Sequence, residues 1–325
     1  MTTRTQDIFK KLYEKDDMFK LVKIQAIMRA YLAAKNANAA KYGCYHFKDF
    51  NEECVGDYSS EYVNKVISTY GPYKYDKSLN ARYNNRERTY RGKEVQENGA
   101  QYQGEYDEEN DCRHGMGTMI WKDGSRYDGW WSNDKANGHG RLIQHNGDLY
   151  EGEWINNKAN GRGHYIHFKG TEYEGMWHND LQNGDGTEKW PDGSVYTGQF
   201  RLGRKQGRGV FEWSDGSRYE GEFKNNNMEG KGAYTWSDGR QYTGDWLGGQ
   251  MHGEGEFTWE DGRRYVGEYE NDVKSGQGTF YWQDGRMYEG QWQDGKQHGR
   301  GLYTASNGEQ RQGIWRNGQR ERWLD

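Results

Sequence analysis

Trp213-Ser214-Asp215-Gly216-Ser217-Arg218-Tyr219-Glu220-Gly221-Glu222-Phe223, closed after a polar stretch by Gly230-Lys231-Gly232, is a pattern the chain states again and again. The next copy opens at Trp236-Ser237-Asp238-Gly239 and runs to Tyr242-Thr243-Gly244-Asp245-Trp246. Its anchoring tyrosines are Tyr127, Tyr150, Tyr173, Tyr196, Tyr219, Tyr242, Tyr265 and Tyr288, each 23 residues after the last. A period this strict makes the chain a repeat array in which each unit touches its neighbours.

Asp-Gly or Asn-Gly between aromatic-bearing runs is a strong hairpin signal, because both residues tolerate the positive φ of a tight turn. It recurs at Asn146-Gly147, Asp192-Gly193, Asp215-Gly216, Asp238-Gly239, Asp261-Gly262, Asp284-Gly285 and Asn307-Gly308, with Lys169-Gly170 as a weak copy. Each unit therefore reads as a β-hairpin followed by a polar loop. The fold expected is an all-β ribbon of stacked antiparallel hairpins over residues 102–315, about 10 Å per repeat and on the order of 90 Å long. Glycine pairs such as Gly207/Gly209 and Gly230/Gly232 lie two apart on a strand and leave bare patches for facing rings. The tryptophan ladder Trp190, Trp213, Trp236, Trp259 and Trp282 is assigned to those patches, as core.

Composition agrees with a repeat scaffold. Hydrophobic residues make up 32% and mean hydropathy is −1.33, values that by themselves point to disorder; yet aromatics reach 15%, with 14 Trp and 26 Tyr. Cys44, Cys54 and Cys112 show no C-x-x-C spacing and leave an odd count, so neither a disulfide framework nor a zinc site is expected. No apolar leader and no membrane-spanning run occurs, so the expectation is the cytosol or a compartment open to it.

Residues 1–48 carry ten basic residues against four acidic ones, a net +6; with −5 for the whole chain, −11 remains for the rest. The protein is thus a basic arm on an acidic body. In the arm Ile24, Ile27, Met28, Tyr31 and Leu32 follow helical spacing, which predicts a helix over about 17–41 with one apolar face. The stretch Ile24-Gln25-Ala26-Ile27-Met28-Arg29-Ala30-Tyr31-Leu32-Ala33-Ala34-Lys35 resembles an IQ motif, with Ala30 where that pattern prefers Gly and Lys35 one place late for its second basic residue. The resemblance implies a calmodulin-like light chain bound through Ile24, Gln25, Ile27, Met28, Arg29, Tyr31, Leu32 and Lys35. Packing of the same face on the array or on a neighbouring subunit is the plainer reading.

Residues 49–101 lose the period. They read as an irregular, tyrosine-bearing linker that drapes over the array or a partner, with a short helix near 61–69 and Tyr90-Arg91-Gly92 as a degenerate first repeat. An insertion sits at 107–113. At the other end Arg311 takes the tyrosine position and Ala305 the tryptophan one, and residues 316–325 form a polar cap.

The combination Tyr-x-Gly-x-aromatic, Gly-x-Gly and Asp-Gly at this spacing resembles the MORN repeat (membrane occupation and recognition nexus), in nine copies. What the resemblance implies is a hairpin ribbon used for assembly, dimerisation or lipid contact, as in junctional and cytoskeletal scaffolds and ciliary radial-spoke heads. Family members that are kinases or methyltransferases carry a separate catalytic domain, and only about 100 residues lie outside this array.

The chemistry is sparse. None of the Gly-x-Gly pairs continues into a nucleotide-binding fingerprint. His114, His252 and His298 recur at one repeat position, too far apart to share a metal, and are assigned to turn or loop hydrogen bonding. Acidic residues such as Glu220, Glu222, Glu268 and Glu270 are read as a solvated strand face. No catalytic, cofactor or metal residues are expected, and the −11 body disfavours nucleic acid and, on the array, anionic lipid. The expectation is a non-enzymatic scaffold of the cytoskeleton, at the ciliary or flagellar axoneme by family resemblance. Its expected partners are other subunits, a light chain on the arm and a second copy of the chain. A peripheral membrane tether using the arm is the alternative.

Overall fold

The computed structural model describes residues 60–76, 86–96 and 98–324. Among the described residues one helix, α1 (Glu61–Tyr70), precedes 21 strands, and successive strands pair antiparallel within each of two units, as β2 does with β3 and β12 with β13. The family of stacked hairpins expected from the period is what forms. By internal packing the strands fall into two compact units. The first contains β1 (Arg88–Val95), β2 (Gln101–Asp107), β3 (Cys112–Ile120), β4 (Arg126–Ser132), β5 (Lys135–Ile143), β6 (Leu149–Ile155), β7 (Lys158–Ile166), β8 (Glu172–His178) and β9 (Leu181–Lys189).

The second contains β10 (Val195–Arg201), β11 (Arg204–Glu212), β12 (Arg218–Lys224), β13 (Asn227–Thr235), β14 (Gln241–Leu247) and β15 (Gln250–Thr258). It continues with β16 (Arg264–Glu270), β17 (Val273–Tyr281), β18 (Met287–Gln293), β19 (Lys296–Thr304), β20 (Gln310–Arg316) and β21 (Gln319–Leu324).

Two kinds of turn alternate, and they divide the work differently from the expectation. At Trp213-Ser214-Asp215-Gly216 only the glycine has positive φ, at 85°. Gly216 N–H donates to the Trp213 carbonyl at 3.0 Å and Trp213 N–H to Ser217 at 2.8 Å, which is a type I turn closed by a glycine bulge. The polar loop at the other edge is the tighter hairpin: Asn225 and Asn226 have φ of 49° and 73°, so a two-residue type I′ turn joins β12 to β13 directly. Asn156-Asn157, Asn179-Asp180 and Asn271-Asp272 repeat it.

The rings over the glycines are also not the predicted ones. Tyr219 lies across Gly221 on its own strand and Gly232 on the next, so close that a Cβ on Gly232 would sit 2.4 Å from the phenol oxygen. The hydroxyl donates to the Glu222 carbonyl at 2.9 Å. All eight tyrosines of the 23-residue series are buried in this way. The ladder Trp190, Trp213, Trp236, Trp259 and Trp282 instead starts the Asp-Gly turns. Trp190 and Trp213 are buried, whereas Trp236, Trp259 and Trp282 are half-buried beneath Arg240, Arg263 and Arg286. Within each unit the core is therefore a layer of tyrosines meeting edge-on the aromatic residue at the end of their own strand and of the next even-numbered strand, as Tyr219 meets Phe223 at 5.1 Å and Trp246 at 5.4 Å.

Only the second glycine of each Gly-x-Gly pair lies under a ring. The first, such as Gly230 at φ 62°, forms a bulge, and register shifts there between β12 and β13. A side chain from the preceding strand folds over it: Glu268 accepts the Gln277 N–H at 2.7 Å, and Glu153 the Arg162 N–H at 2.9 Å. These glutamates hold the bulge, so Glu268, exposed as expected of a solvated strand face, also carries a structural bond. The Nδ1 atoms of His252 and His298 make no hydrogen bond among the described residues; their backbone carbonyls each face a tyrosine hydroxyl at 3.4 Å.

The sheet extends past the span 102–315. β1 falls within the expected linker and pairs with β2, and Arg88 bridges to Glu105 at 2.8 Å. The insertion at 107–113 is a loop held by Asp107, which accepts from Asn110 Nδ2 at 2.8 Å and from Glu109 N–H at 3.0 Å. Burial opposes its ionisation, but these bonds and Arg86 bring its pKa down to about 2. At the far end β21 pairs with β20, and Trp323 packs edge-on against Trp315 at 6.0 Å.

Candidate interaction surface

Strand alternation gives the sheet two faces. On one lie the tyrosines, the glycines and Trp131, Trp154, Trp177, Trp246 and Trp292. Residues of the opposite face in β12 to β18 are charged and open. Arg218 pairs with Glu220 at 2.6 Å and Lys231 with Asp245 at 2.7 Å, all of them substantially exposed. Such pairs contribute little stability, of order 0–1 kcal/mol, and keep the face solvated.

In β3 to β7 the same face departs from the repeat. Trp130 stands where other units have Glu153, Gln199, Glu222 or Glu268, and Ile143, Leu149 and Ile166 occupy positions held elsewhere by Glu212, Thr235, Glu172 or Arg218. This apolar patch is covered by residues 60–76. Val63, Val66 and Ile67 recur at i, i+3 and i+4, which makes the stretch a helix and aims one side of it at Ile143, Leu149 and Ile166. Gly71 at φ 75° and Pro72 end the helix. Ser60 at its start uses its hydroxyl not as a cap but to reach the His145 carbonyl at 2.8 Å.

Beyond the helix the chain is extended and fastened by two tyrosines. Arg141, itself bonded to Glu151 at 2.6 Å, donates to the Gly71 carbonyl at 2.7 Å. The Tyr73 hydroxyl lies 2.9 Å from His139 Nδ1, and Tyr75 donates to the Gly117 carbonyl at 3.1 Å with its ring edge-on to Trp130. Burial pushes the Tyr75 phenol up to about 12, with the Asp128 carboxylate adding to it. The array thus holds a helix and a Tyr-x-Tyr strand from its own chain. Over residues 60–76 the expected short helix and tyrosine anchors are present, whereas residues 88–95, expected to be irregular, form β1.

Of the residues singled out in the sequence, the tyrosine series and the tryptophan ladder form the aromatic layer and its edge. Ile24, Gln25, Ile27, Met28, Arg29, Tyr31, Leu32 and Lys35 lie outside the described residues. The patch under the strap, Trp130, Ile143, Leu149 and Ile166, was missed; its signal is that it breaks the repeat on the side where polar residues are the rule.

One further departure is Lys274, at the position of Met228 and Met251. Its ammonium lies 4.6 Å from the Trp259 ring and 4.8 Å from that of Tyr265, with Phe280 and Trp292 close by. Burial, helped by Arg263, lowers its pKa to about 8.

Comparison with family models matches the MORN repeat over residues 102–126, 127–149, 150–172, 173–195, 196–218, 219–239, 242–263, 265–285 and 288–310, more than half of the chain. Comparison with curated proteins finds no match. Among solved structures, the SAS-4 (dCPAP) TCP domain of Drosophila melanogaster, in complex with a proline-rich motif of Ana2 (dSTIL), is 15% identical, with 48% of this chain and 85% of that chain covered and a TM-score of 0.31. A mutant TCP10 domain of Danio rerio CPAP is 11% identical, covering 67% and 95% at a TM-score of 0.33. Virginiamycin B lyase from Staphylococcus aureus is 12% identical, covering 70% and 84% at 0.14. At such TM-scores none of these likenesses bears on function.

Proposed function

Because the chain belongs to the MORN-repeat family, we propose that it is a non-enzymatic docking scaffold of a cytoskeletal assembly, with the array as its protein-binding surface. The axoneme of a cilium or flagellum is the setting the family resemblance favours. In this reading the basic arm, residues 1–48, engages a calmodulin-like light chain or a neighbouring subunit through Ile24, Gln25, Ile27, Met28, Arg29, Tyr31, Leu32 and Lys35.

The observation that carries the reading is the strap itself. A sheet face that accepts a helix followed by an extended tyrosine segment in cis has the chemistry of a peptide-docking surface. In the second unit the exposed charged side chains of β12 to β18 leave surface open to a partner. The body's −11 charge favours protein over anionic bilayer, and a lipid contact would fall to the arm.

Full-length protein mixed with salt-washed axonemes is expected to sediment with them and to stay at the bottom of a flotation gradient with phosphatidylserine vesicles. Flotation without axonemal binding overturns the scaffold reading in favour of a membrane tether. For the arm, immobilised calmodulin should retain the full chain and lose the variant carrying Ile24→Ala and Arg29→Ala. Equal retention of both, or retention of neither with or without calcium, removes the light-chain role.

A further inference from the structure

The latch of the strap is a largely buried phenol wedged between the Gly117 carbonyl and the Trp130 ring. Tyr75 donates its only proton to the Gly117 carbonyl, and its ring closes against Trp130, one of the most buried residues in the chain. The nearest carboxylate is Asp128, fixed in place by the Thr118 hydroxyl at 2.7 Å and by Arg126 through two bonds at 2.7 and 2.8 Å. Arg126, the cation closest to the phenol, is therefore already committed. Tyr73 differs, since Arg141 lies 5.8 Å over its ring. The flanking Lys74 and Asp76 are exposed, so the segment presents itself to an enzyme once it lifts.

The geometry points to Tyr75 as a tyrosine-phosphorylation site that unlatches residues 60–76 from the sheet. The phenol oxygen attacks the γ-phosphorus of a nucleoside triphosphate, the bond to the nucleoside diphosphate breaks, and the phenol proton passes to the kinase's base. The product carries a charge near −2 and no donor. Docked, it loses its hydrogen bond to the Gly117 carbonyl and sets a charge near −2 beside the Asp128 carboxylate in a partly desolvated place, which the Thr118 hydroxyl, already turned to Asp128, and the Gly129 N–H offset only in part. A kinase captures Tyr75 in the open fraction of the population, and the phosphate then prevents reclosure. The helix goes with it, because Val63, Val66 and Ile67 are delivered to Ile143, Leu149 and Ile166 by the chain that Tyr75 anchors.

The test uses the full chain, treated with a purified broad-specificity tyrosine kinase and ATP, and follows trypsin cleavage after Lys65 and Lys74 by mass spectrometry. Both lysines are exposed on the strap. Phosphorylation of Tyr75 should speed cleavage at these sites at least tenfold, leave cleavage within β12 to β18 unchanged, and be reversed by a phosphatase. Tyr75→Glu should mimic it and Tyr75→Phe should change the rate less than threefold. The proposal fails if the phosphorylated chain is cleaved at the unmodified rate, or if Tyr75→Phe opens the strap as far as Tyr75→Glu does, since packing rather than charge would then be the latch. It fails equally if the kinase modifies a peptide of residues 70–80 but never Tyr75 in the folded chain.

Discussion

Gly232 shows how a residue without a side chain specifies this fold. Its Cα supports the Tyr219 ring, and the nearest atoms of that ring would stand 2.4–2.6 Å from an added Cβ, well inside contact distance. Gly232→Ala must therefore lift the ring, breaking the hydroxyl bond to Glu222 and parting Tyr219 from Phe223 and Trp246. The expected loss is about 3 kcal/mol. Gly216→Ala provides the comparison: its added Cβ meets nothing within 4 Å, and the loss is confined to the positive φ, about 1–2 kcal/mol. Denaturant midpoints of the two variants rank them, and an equal loss would mean that the ring does not depend on the bare strand. Lys274 is the converse, a side chain at odds with its site. With the amine at about 8 in the fold and 10.5 when free, the unfolded chain binds more protons between those values, so stability rises with pH across that window. Replacement by the methionine of neighbouring units, Lys274→Met, should stabilise by about 1 kcal/mol at pH 7, the four rings already offsetting part of the burial of the charge. The gain should shrink as pH climbs through 8 and be gone near 10.5; a gain that persists at pH 10.5 would assign it to packing.

At the scale of elements, the turns join units as well as strands. In the type I′ turns the second residue faces back along the array. Asn226 accepts the Lys205 N–H at 2.7 Å, Asp180 the Ala159 N–H at 2.8 Å and Asp272 the Met251 N–H at 2.8 Å. Where that residue is glycine, as at Gly295, the backbone bond to the Lys274 carbonyl at 3.0 Å remains but the side-chain acceptor is missing. Gly295→Asn keeps φ at 77° within the range asparagine accepts, and its Cβ would meet Val273 at an ordinary 3.5 Å. The variant should gain about 0.5–1 kcal/mol, read as a higher denaturant midpoint. No gain would show that the stitch adds nothing to the ladder. These turns also mark where sequence reading reached its limit. Asp215-Gly216 carries the familiar hairpin signal, yet it makes the looser turn, while Asn225-Asn226 passed for a polar loop because asparagine suits both solvent and positive φ. A dipeptide reports which φ it tolerates; which edge closes tightest depends on register with the next strand, and that is set by the bulge at Gly230.

Taken as a whole molecule, the chain shows what a strict period reveals and what it conceals. The 23-residue spacing was enough to define the stacked hairpins, because every unit repeats one solution, but not which rings cover the glycines. Concealed were the places where one unit differs for the sake of something elsewhere in the chain. Trp130, Ile143, Leu149 and Ile166 look like drift within the repeat until Val63 and Tyr75 are laid over them, a contact between residues about 55 to 100 apart in sequence. The unit itself also shifts. The sequence suggests cutting the array into Asp-Gly hairpins, but each tyrosine spans an even-numbered strand and the odd-numbered one after it, as Tyr288 on β18 covers Gly290 and Gly301 on β19. Shortening the array should reveal the true module. A chain ending at Thr304 loses β20 and β21 but keeps Tyr288 over both glycines, that ring giving up its Trp315 contact at 4.9 Å. Ending at Gln293 removes β19 as well, strips Gly301 from beneath the ring and leaves β18 as a bare edge. Although the two differ by 11 residues, the second should lose roughly 2 kcal/mol or more beyond the first at the C-terminal end, through the unburied ring and its unmade packing. Hydrogen exchange of β16 to β18 measures it: protection close to that of the full chain when the end is Thr304, and sharply reduced when it is Gln293. Equal protection in the two would return the module to the Asp-Gly hairpin.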